Sequence, residues 1–191
     1  MKLKDIANIQ IGFQLSAKIE PVQDGTHKII QIKDIDNDRN IIPDSIYKIN
    51  PKRSVDRYLV NKSDVLFLSR GHRNFATAIN ILMKNTIAAG HFFILKFNTA
   101  KILPEYLAWY INQPPAQKFL KSMAKRGSHM PIIGKSEFEQ LEVNIPPLQV
   151  QEKIIKLSKL LQQEDELVEK IEEKRRQIVQ SICLNAAREG K

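Results

Sequence analysis

The chain has 191 residues, of which 42% are hydrophobic and 27% are charged, a balance that is typical of a folded globular protein and excludes a disordered one. No apolar run approaches the roughly 18 residues of a membrane-spanning helix, and residues 1–20 carry charges where a signal peptide has an apolar core. The sequence therefore predicts a cytoplasmic protein with no membrane partner.

Positive charge is concentrated in the first part of the chain. The formal net charge is +9, and residues 147–191 hold nine Lys and Arg against eight Asp and Glu, which leaves a net charge of +8 on residues 1–146. A basic body joined to a nearly neutral segment favours a polyanion as partner of the body and a protein as partner of the segment. The alternative is that the high isoelectric point only aids solubility.

Five short segments predict β-strands. Residues 28–36 alternate apolar and polar side chains, which is typical of a half-buried strand. Further strands are predicted at 45–49, 64–69, 76–83 and 90–97, each rich in Ile, Val, Leu or Phe and bounded by Asn, Asp, Pro or Gly. Their close spacing predicts a twisted, largely antiparallel sheet or a partial barrel.

Helical signals begin after the last of these strands. Pro104 at a first helical position predicts a helix over 104–111, and the Pro114–Pro115 pair is expected to end it. A second helix is predicted from 116 to about 124, then a helical turn at 136–140 and a strand at 141–145. Pro146 is then expected to close that strand and Pro147 to open the next helix, because each proline lacks a backbone donor.

The segment after Pro147 predicts one long helix. From Gln149 to about Ala187 there is no Pro or Gly, and apolar residues recur at steps of three and four, as in a coiled coil. A helix of about 36 residues extends ~54 Å, which is too long to lie wholly on so small a domain, although folding back on that domain is the alternative. Glu164 and Arg175 interrupt the apolar seam and indicate complementary charges or a specified register. The predicted dimerisation residues are Ile154, Leu157, Leu161, Val168, Ile171, Ile178 and Ile182.

The sequence contains none of the common catalytic or cofactor-binding motifs. There is no Walker loop, no G-x-G-x-x-G, no H-E-x-x-H, no G-x-S-x-G and no pair of cysteines, and the four histidines are scattered. We therefore expect a protein without catalytic activity, metal or cofactor.

Two loops carry side chains that suit DNA. Guanidinium, imidazole and amide groups can hydrogen-bond guanine and adenine edges in the major groove. Either loop could instead be a solvated turn or a contact to phosphates, which positions a protein without specifying sequence. The candidate DNA-binding residues are Arg70, His72, Arg73 and Asn74 in the first loop, and Lys125, Arg126, Ser128 and His129 in the second.

Three segments taken together resemble a known family. They are Pro104–Leu107, Gly127–Ser128, and Phe138–Leu148 with Gln151 leading into the long helix. This set resembles the specificity subunit of type I restriction-modification systems. The similarity is strongest over residues 100–180 and weaker over residues 1–99, where recognition domains vary because they read different sequences.

The resemblance implies an α+β architecture in three parts. A sheet-rich target recognition domain with short helices covers 1–146, a long conserved-region helix for dimerisation covers 147–187, and a tail covers 188–191. It also implies a non-catalytic subunit that binds double-stranded DNA and docks methyltransferase and nuclease-translocase subunits.

The chain differs from the family pattern in one respect. A full-length specificity subunit has two recognition domains and two long helices that pack antiparallel, whereas this chain has one of each. It is therefore expected to act as a half-subunit that homodimerises and reads a split palindromic site. The rival hypotheses are a nuclease fragment, and an interaction protein that binds the methyltransferase without reading DNA.

Overall fold

The computed structural model describes residues 1–15, 20–71, 73–124 and 131–189. The chain divides into two compact units, Met1–Gln151 and Glu152–Lys191. The described strands, all in the first unit, are β1 (Ala7–Ile11), β2 (His27–Ile30), β3 (Tyr47–Ile49), β4 (Val65–Leu68), β5 (Ala76–Ala78), β6 (Thr86–Ala88) and β7 (Phe92–Phe97). The described α-helices are α1 (Pro104–Ile111), α2 (Pro114–Met123), α3 (Lys135–Phe138) and α4 (Leu148–Glu189).

The strands form two small sheets. The first is antiparallel throughout, in the order β1-β7-β4-β5, and the second has the order β3-β2-β6, in which β2 and β6 run parallel. The sequence prediction of an α+β fold, with a sheet-rich region followed by one long helix, is confirmed.

The central strands of the first sheet are buried on both faces. Leu66 and Ile94 point into a cluster that includes Ile30 of the second sheet, so this face forms the core between the sheets. On the opposite face Phe67 stacks on Phe138 of α3, with ring centroids 4.1 Å apart. Burial on both faces explains why β4 reads as a continuous apolar run and not as an alternating one.

A glycine joins the two sheets. Gly12 donates its backbone N–H to the Phe92 carbonyl (2.9 Å), and the next residue, Phe13, donates to the carbonyl of Ala88 at the end of β6 (2.7 Å). A Cβ atom on Gly12 would lie only 2.3 Å from the carbonyl oxygen of Ala89. The close approach of the two sheets at this point therefore requires glycine.

An asparagine ties the end of α1 to the edge of the first sheet. The Asn112 side chain donates from Nδ2 to the Ala76 carbonyl (2.8 Å) and accepts from the Ala76 N–H at Oδ1 (2.9 Å). Ala76 begins β5, the outer strand of this sheet. The carboxamide thus satisfies both backbone groups that this residue turns away from β4.

The predicted strand over 28–36 is too long. It ends at Ile30, and Ile32–Asp34 forms a 3-10 turn. The Asp34 carboxylate is fully buried and accepts hydrogen bonds from the Gln31 N–H (2.8 Å) and the Ser45 hydroxyl (2.8 Å). This buried acceptor holds the turn, because a carboxylate removed from water needs donors around it.

Other element boundaries also differ from the predictions. Pro114 begins α2, since its missing N–H costs nothing at a first helical position. The predicted strand at 76–83 ends at Ala78, and residues 141–145 contribute only an isolated bridge between Glu142 and Lys2. The sequence predictions missed the short strands β1 and β6.

The first turn of α4 belongs to the first unit. Gln151 is completely buried, and its Oε1 accepts the Leu103 N–H (2.8 Å). Its Nε2 donates to the carbonyls of Lys101 (2.9 Å) and Pro146 (2.7 Å). One side chain therefore links the start of α4 to the segment that precedes α1.

The second unit is the remainder of α4, which has 42 residues in all and extends about 63 Å at 1.5 Å per residue. Its large apolar side chains are exposed, with fractions between 48% and 70% for the six predicted seam residues Leu157, Leu161, Val168, Ile171, Ile178 and Ile182, while Ile154 is half-buried. Neither α4 nor any other described helix combines the length and hydropathy needed to span a membrane.

Candidate nucleic-acid interface

The segments that flank the two candidate loops are hydrogen-bonded to each other. Arg70 forms an antiparallel bridge with Ile132, the Ile133 N–H donates to the Ser69 carbonyl (2.9 Å), and the Gly71 N–H donates to the Pro131 carbonyl (3.1 Å). The predicted residues His72, Lys125, Arg126, Ser128 and His129 lie outside the described residues. The structure therefore brings together two chain segments, one flanking each loop, that lie about sixty residues apart in the sequence.

The three described residues of the first loop have different surroundings. Arg70 is half-buried and Arg73 is exposed. The Asn74 Nδ2 donates to the Leu68 carbonyl (2.9 Å), so this amide closes its own loop and one of its two N–H donors is already used. Gly71 has a φ of +123°, which a residue with a Cβ rarely adopts.

A cleft of about 550 Å³ lies beside these arginines. Arg70 and Arg73 line it together with Arg39 from the turn after β2 and Lys121 from α2. None of these cations forms a salt bridge with a described carboxylate. The amides that line it are Asn37, Asn74, Asn112 and Gln117, and its lone carboxylate among the described lining residues is Asp36.

Sequence reasoning missed Arg39 and Lys121. Arg39 has a φ of +67°, in a turn where its N–H donates to the Asp36 carbonyl, and its own carbonyl accepts the hydroxyl of the buried Thr77. Lys121 lines the cleft from α2, in which Ala116 and Leu120 are the buried residues. Neither residue is near Arg70 in sequence, and only the tertiary fold places them on one cleft.

Two further basic clefts adjoin the first. Arg70 also lines a cleft with Lys33 and Gln14, and Gln14 in turn lines a third cleft with Arg53 and Arg57. Because neighbouring clefts share a lining residue, the three are adjacent. They form a basic track, which we define as Arg39, Arg70, Arg73 and Lys121, then Lys33, then Arg53, Arg57 and Lys135.

Aromatic rings hold two arginines of the basic track in place. The Arg53 guanidinium lies 4.7 Å from the Phe13 ring centroid, and its Nη2 donates to the Gln14 carbonyl (2.7 Å). Arg57 lies 4.7 Å from the ring of Tyr58. Stacking of this kind reduces the entropy that a long side chain loses on binding an anion.

The described residues offer no evident metal centre. No three His, Cys, Asp or Glu side chains among them are arranged so that they could hold a metal ion. What the basic track offers is a set of guanidinium and ammonium donors beside amide groups, which suits the phosphates and base edges of a nucleic acid.

The comparisons with solved structures agree in fold. The specificity subunit (HsdS) of Thermoanaerobacter tengcongensis matches at a TM-score of 0.64 and 18% identity, over 87% of this chain and 43% of its own. The S subunit of M. genitalium matches at a TM-score of 0.58 and 12% identity, over 85% of this chain and 38% of its own. A chain from a structure of type I restriction-modification complex assembly matches at a TM-score of 0.51 and 16% identity, over 85% and 37% of the two chains.

The chain thus spans about two fifths of the length of each of these solved proteins. A comparison with curated proteins found no match. The family described as type I restriction modification DNA specificity domain matches residues 1–177, nearly the whole chain. The resemblance inferred from the sequence is confirmed: this chain belongs to the type I restriction-modification DNA specificity domain family.

Proposed function

We propose that this chain is a sequence-specific DNA recognition subunit of a type I restriction-modification system. Two observations carry the proposal. The chain segments that flank the two candidate loops are bridged to each other at Arg70 and Ile132, and the cations of the cleft beside them lack carboxylate partners among the described residues. Unpaired guanidinium groups around a concave surface attract a polyanion, and the net charge of residues 1–146 is also positive. Family membership adds support, because the family is described by DNA specificity.

Different parts of the basic track have different proposed tasks. Arg70 and Arg73 stand at the loops and are our candidates for hydrogen bonds to base edges, together with the second loop. Arg39, Lys121 and the stacked Arg53 are candidates for phosphates, which fix the register of the protein on the duplex. Asn74 is the weaker candidate of the first loop, since its Nδ2 is engaged by the Leu68 carbonyl.

The second unit is proposed to bind a second copy of this chain. Its apolar seam is exposed over several helical turns, and an exposed apolar stripe of this length is typical of a helix that pairs. A two-fold dimer presents two recognition domains, and its target is then a split palindrome whose spacing the paired helices set. The dimer on DNA is proposed to dock methyltransferase and nuclease-translocase subunits, which supply the chemistry.

Selection of bound duplexes from a random pool by the purified full chain tests the proposal. We expect enrichment of one split motif, with an affinity that falls steeply as salt rises. Binding of the methyltransferase subunit without any enriched motif would favour the interaction protein that does not read DNA. Cutting of DNA by the chain alone in magnesium would favour the nuclease.

The motif itself tests the dimer. Methylation mapping in cells that carry this chain and its methyltransferase should find two identical half-sites in inverted orientation. An asymmetric motif would contradict the homodimer and indicate pairing with another specificity polypeptide.

A further inference from the structure

The seam of α4 contains two charged residues at positions where a coiled coil has apolar ones. Between Ile154 and Ile182 the seam advances by alternating steps of three and four residues, and Glu164 and Arg175 fill two of those steps. Both side chains are exposed, and neither forms a salt bridge with another described residue. Two unpaired charges of opposite sign thus interrupt an otherwise apolar stripe.

An antiparallel two-fold arrangement pairs these charges. We place the two-fold axis between Glu169 and Lys170. A residue that precedes the axis by a given number of positions then faces, in the second copy, the residue that follows the axis by the same number. Glu164 then faces Arg175 of the second copy, and Arg175 faces the second copy's Glu164. The same axis sets the apolar seam residues against one another: Val168 opposite Ile171, Leu161 opposite Ile178, and Leu157 opposite Ile182.

Other arrangements of two helices leave these charges uncompensated. Sliding one helix by a heptad in one direction sets Glu164 against Val168, and in the other direction against Ile182. A parallel dimer sets Glu164 against itself and Arg175 against itself. A charge that loses water without gaining an opposite charge is strongly destabilising, so these arrangements are disfavoured.

Residues beside the seam do not override this preference. The proposed register brings Asp165 near Glu172 of the second copy, which is a repulsion between like charges. Glu172 already has a cation beside it, since Arg176 lies 3.7 Å away, and both groups of that pair are exposed. Exposed pairs of this kind contribute little, because water and salt screen them.

We propose that Glu164 and Arg175 set the register of an antiparallel dimer of this chain, by forming the same ion pair twice across the two-fold axis. The inference rests on the proposed homodimer and adds its geometry. Each residue acts as a positioning residue: it selects one alignment of two apolar seams that would otherwise slide by a heptad.

Charge reversal of the full chain tests the register. Glu164→Arg and Arg175→Glu each replace the two ion pairs of the dimer by two pairs of like charges. Each variant should therefore raise the dimer dissociation constant about a hundredfold or more. The double variant restores both ion pairs with the two charges exchanged and should dimerise like the wild type. An equimolar mixture of the two single variants should form heterodimers, since positions 164 and 175 of the two chains then carry opposite charges. Sedimentation equilibrium measures all these constants.

The outcomes separate the register from the dimer itself. Glu173→Arg is the matched control, because its position lies on the side of the helix away from the seam, and it should leave the constant unchanged. A wild type that dimerises, with single variants that dimerise equally well, would overturn the register and leave the homodimer standing. A wild type that is monomeric would overturn both.

Cysteine cross-linking gives an independent readout of the same alignment. In a Cys183→Ser background, Val168→Cys with Ile171→Cys should give a covalent dimer on mild oxidation, because these positions face each other across the axis. Leu161→Cys with Ile171→Cys is the control pair, which faces only after a slide of one heptad. Stronger linking of the control pair than of the first pair would contradict the proposed register.

Discussion

The two units of this chain differ in which groups they leave without a partner. In Met1–Gln151 large apolar side chains such as Phe67 and Phe138 are buried, and the cations Arg39, Arg70, Arg73 and Lys121 form no salt bridge with a described carboxylate. In Glu152–Lys191 the charges nearly balance and most of the large apolar side chains are exposed. The first unit therefore folds on itself and offers charge to a partner, whereas the second offers apolar surface, and the two differ in the partner that each can bind.

Removing the apolar seam should have the largest effect. The double substitution Leu161→Glu and Val168→Glu places charges where the proposed dimer excludes water, so we expect monomers at all accessible concentrations. Light scattering measures the mass, and thermal unfolding of the first unit should be unchanged because these residues lie outside it. An unchanged dimer mass would contradict the assigned seam.

Removing the buried amide of Gln151 should destabilise the first unit. Gln151→Leu keeps the size of the side chain but leaves the Leu103 N–H and the carbonyls of Lys101 and Pro146 without this partner. We expect a loss of about 3 kcal/mol in the free energy of unfolding, measured by urea denaturation. The exposed Gln149, changed to Leu, is the matched control, and equal midpoints for the two variants would show that the buried amide is dispensable.

Removing the arginines at the loops should weaken DNA binding and leave the dimer intact. Arg70→Ala and Arg73→Ala should each cost about 1 to 3 kcal/mol on the selected motif if either makes a bidentate base contact. Fluorescence anisotropy with the selected and scrambled duplexes measures the difference. Equal losses on both duplexes would reassign the residue to phosphate, and Lys62→Ala, an exposed cation outside the three clefts, is the control.

A buried carboxyl gives the smallest expected effect, on the pH dependence of stability. Burial raises the pKa of Asp64, while its hydrogen bond from the Asn61 N–H and the charge of Lys96 oppose that shift. The folded state then keeps this proton to higher pH than the unfolded state. The tighter binding of this proton by the folded state therefore contributes its full stabilisation below a pH of about 4. That stabilisation is lost as the pH rises through the pKa of Asp64 in the folded state.

Replacing this carboxyl should flatten the pH profile. Asp64→Asn keeps an acceptor for Asn61 and removes the titration, so the free energy of unfolding should fall less between pH 4 and neutrality than in the wild type. Asp44→Asn, at an exposed carboxylate, is the control and should follow the wild-type profile. Equal slopes for Asp64→Asn and Asp44→Asn over this range would contradict a raised pKa of Asp64.

The elements that sequence predicted well are those with local signals. Pro104 marks the start of α1, and the seam spacing marks α4, because both depend on residues within a few helical turns. The strand β6 has three residues and is held by parallel pairing with β2, nearly sixty positions earlier, which no local pattern reveals. Pairing between distant segments thus accounts for the strands that were missed.

In the candidate site, too, residues with a local sequence signal were predicted and residues brought together by the fold were not. The first loop was visible in the sequence because Arg70 and Arg73 lie close together after a strand. Arg39 and Lys121 reach the same cleft from separate elements, and nothing in their own surroundings distinguishes them from other exposed cations. The stacked Arg53 needs Phe13 beneath it, a contact between two segments that the fold alone brings together.

The carboxamide of Asn112 has a consequence for the solubility of the domain. It occupies the N–H and the carbonyl of Ala76, the groups that a further strand would use to pair with β5. An open strand edge is a template on which other chains can add and begin to aggregate. At Ala76 a single side chain takes the place of that incoming strand, so the edge of the first sheet is closed to addition at this point.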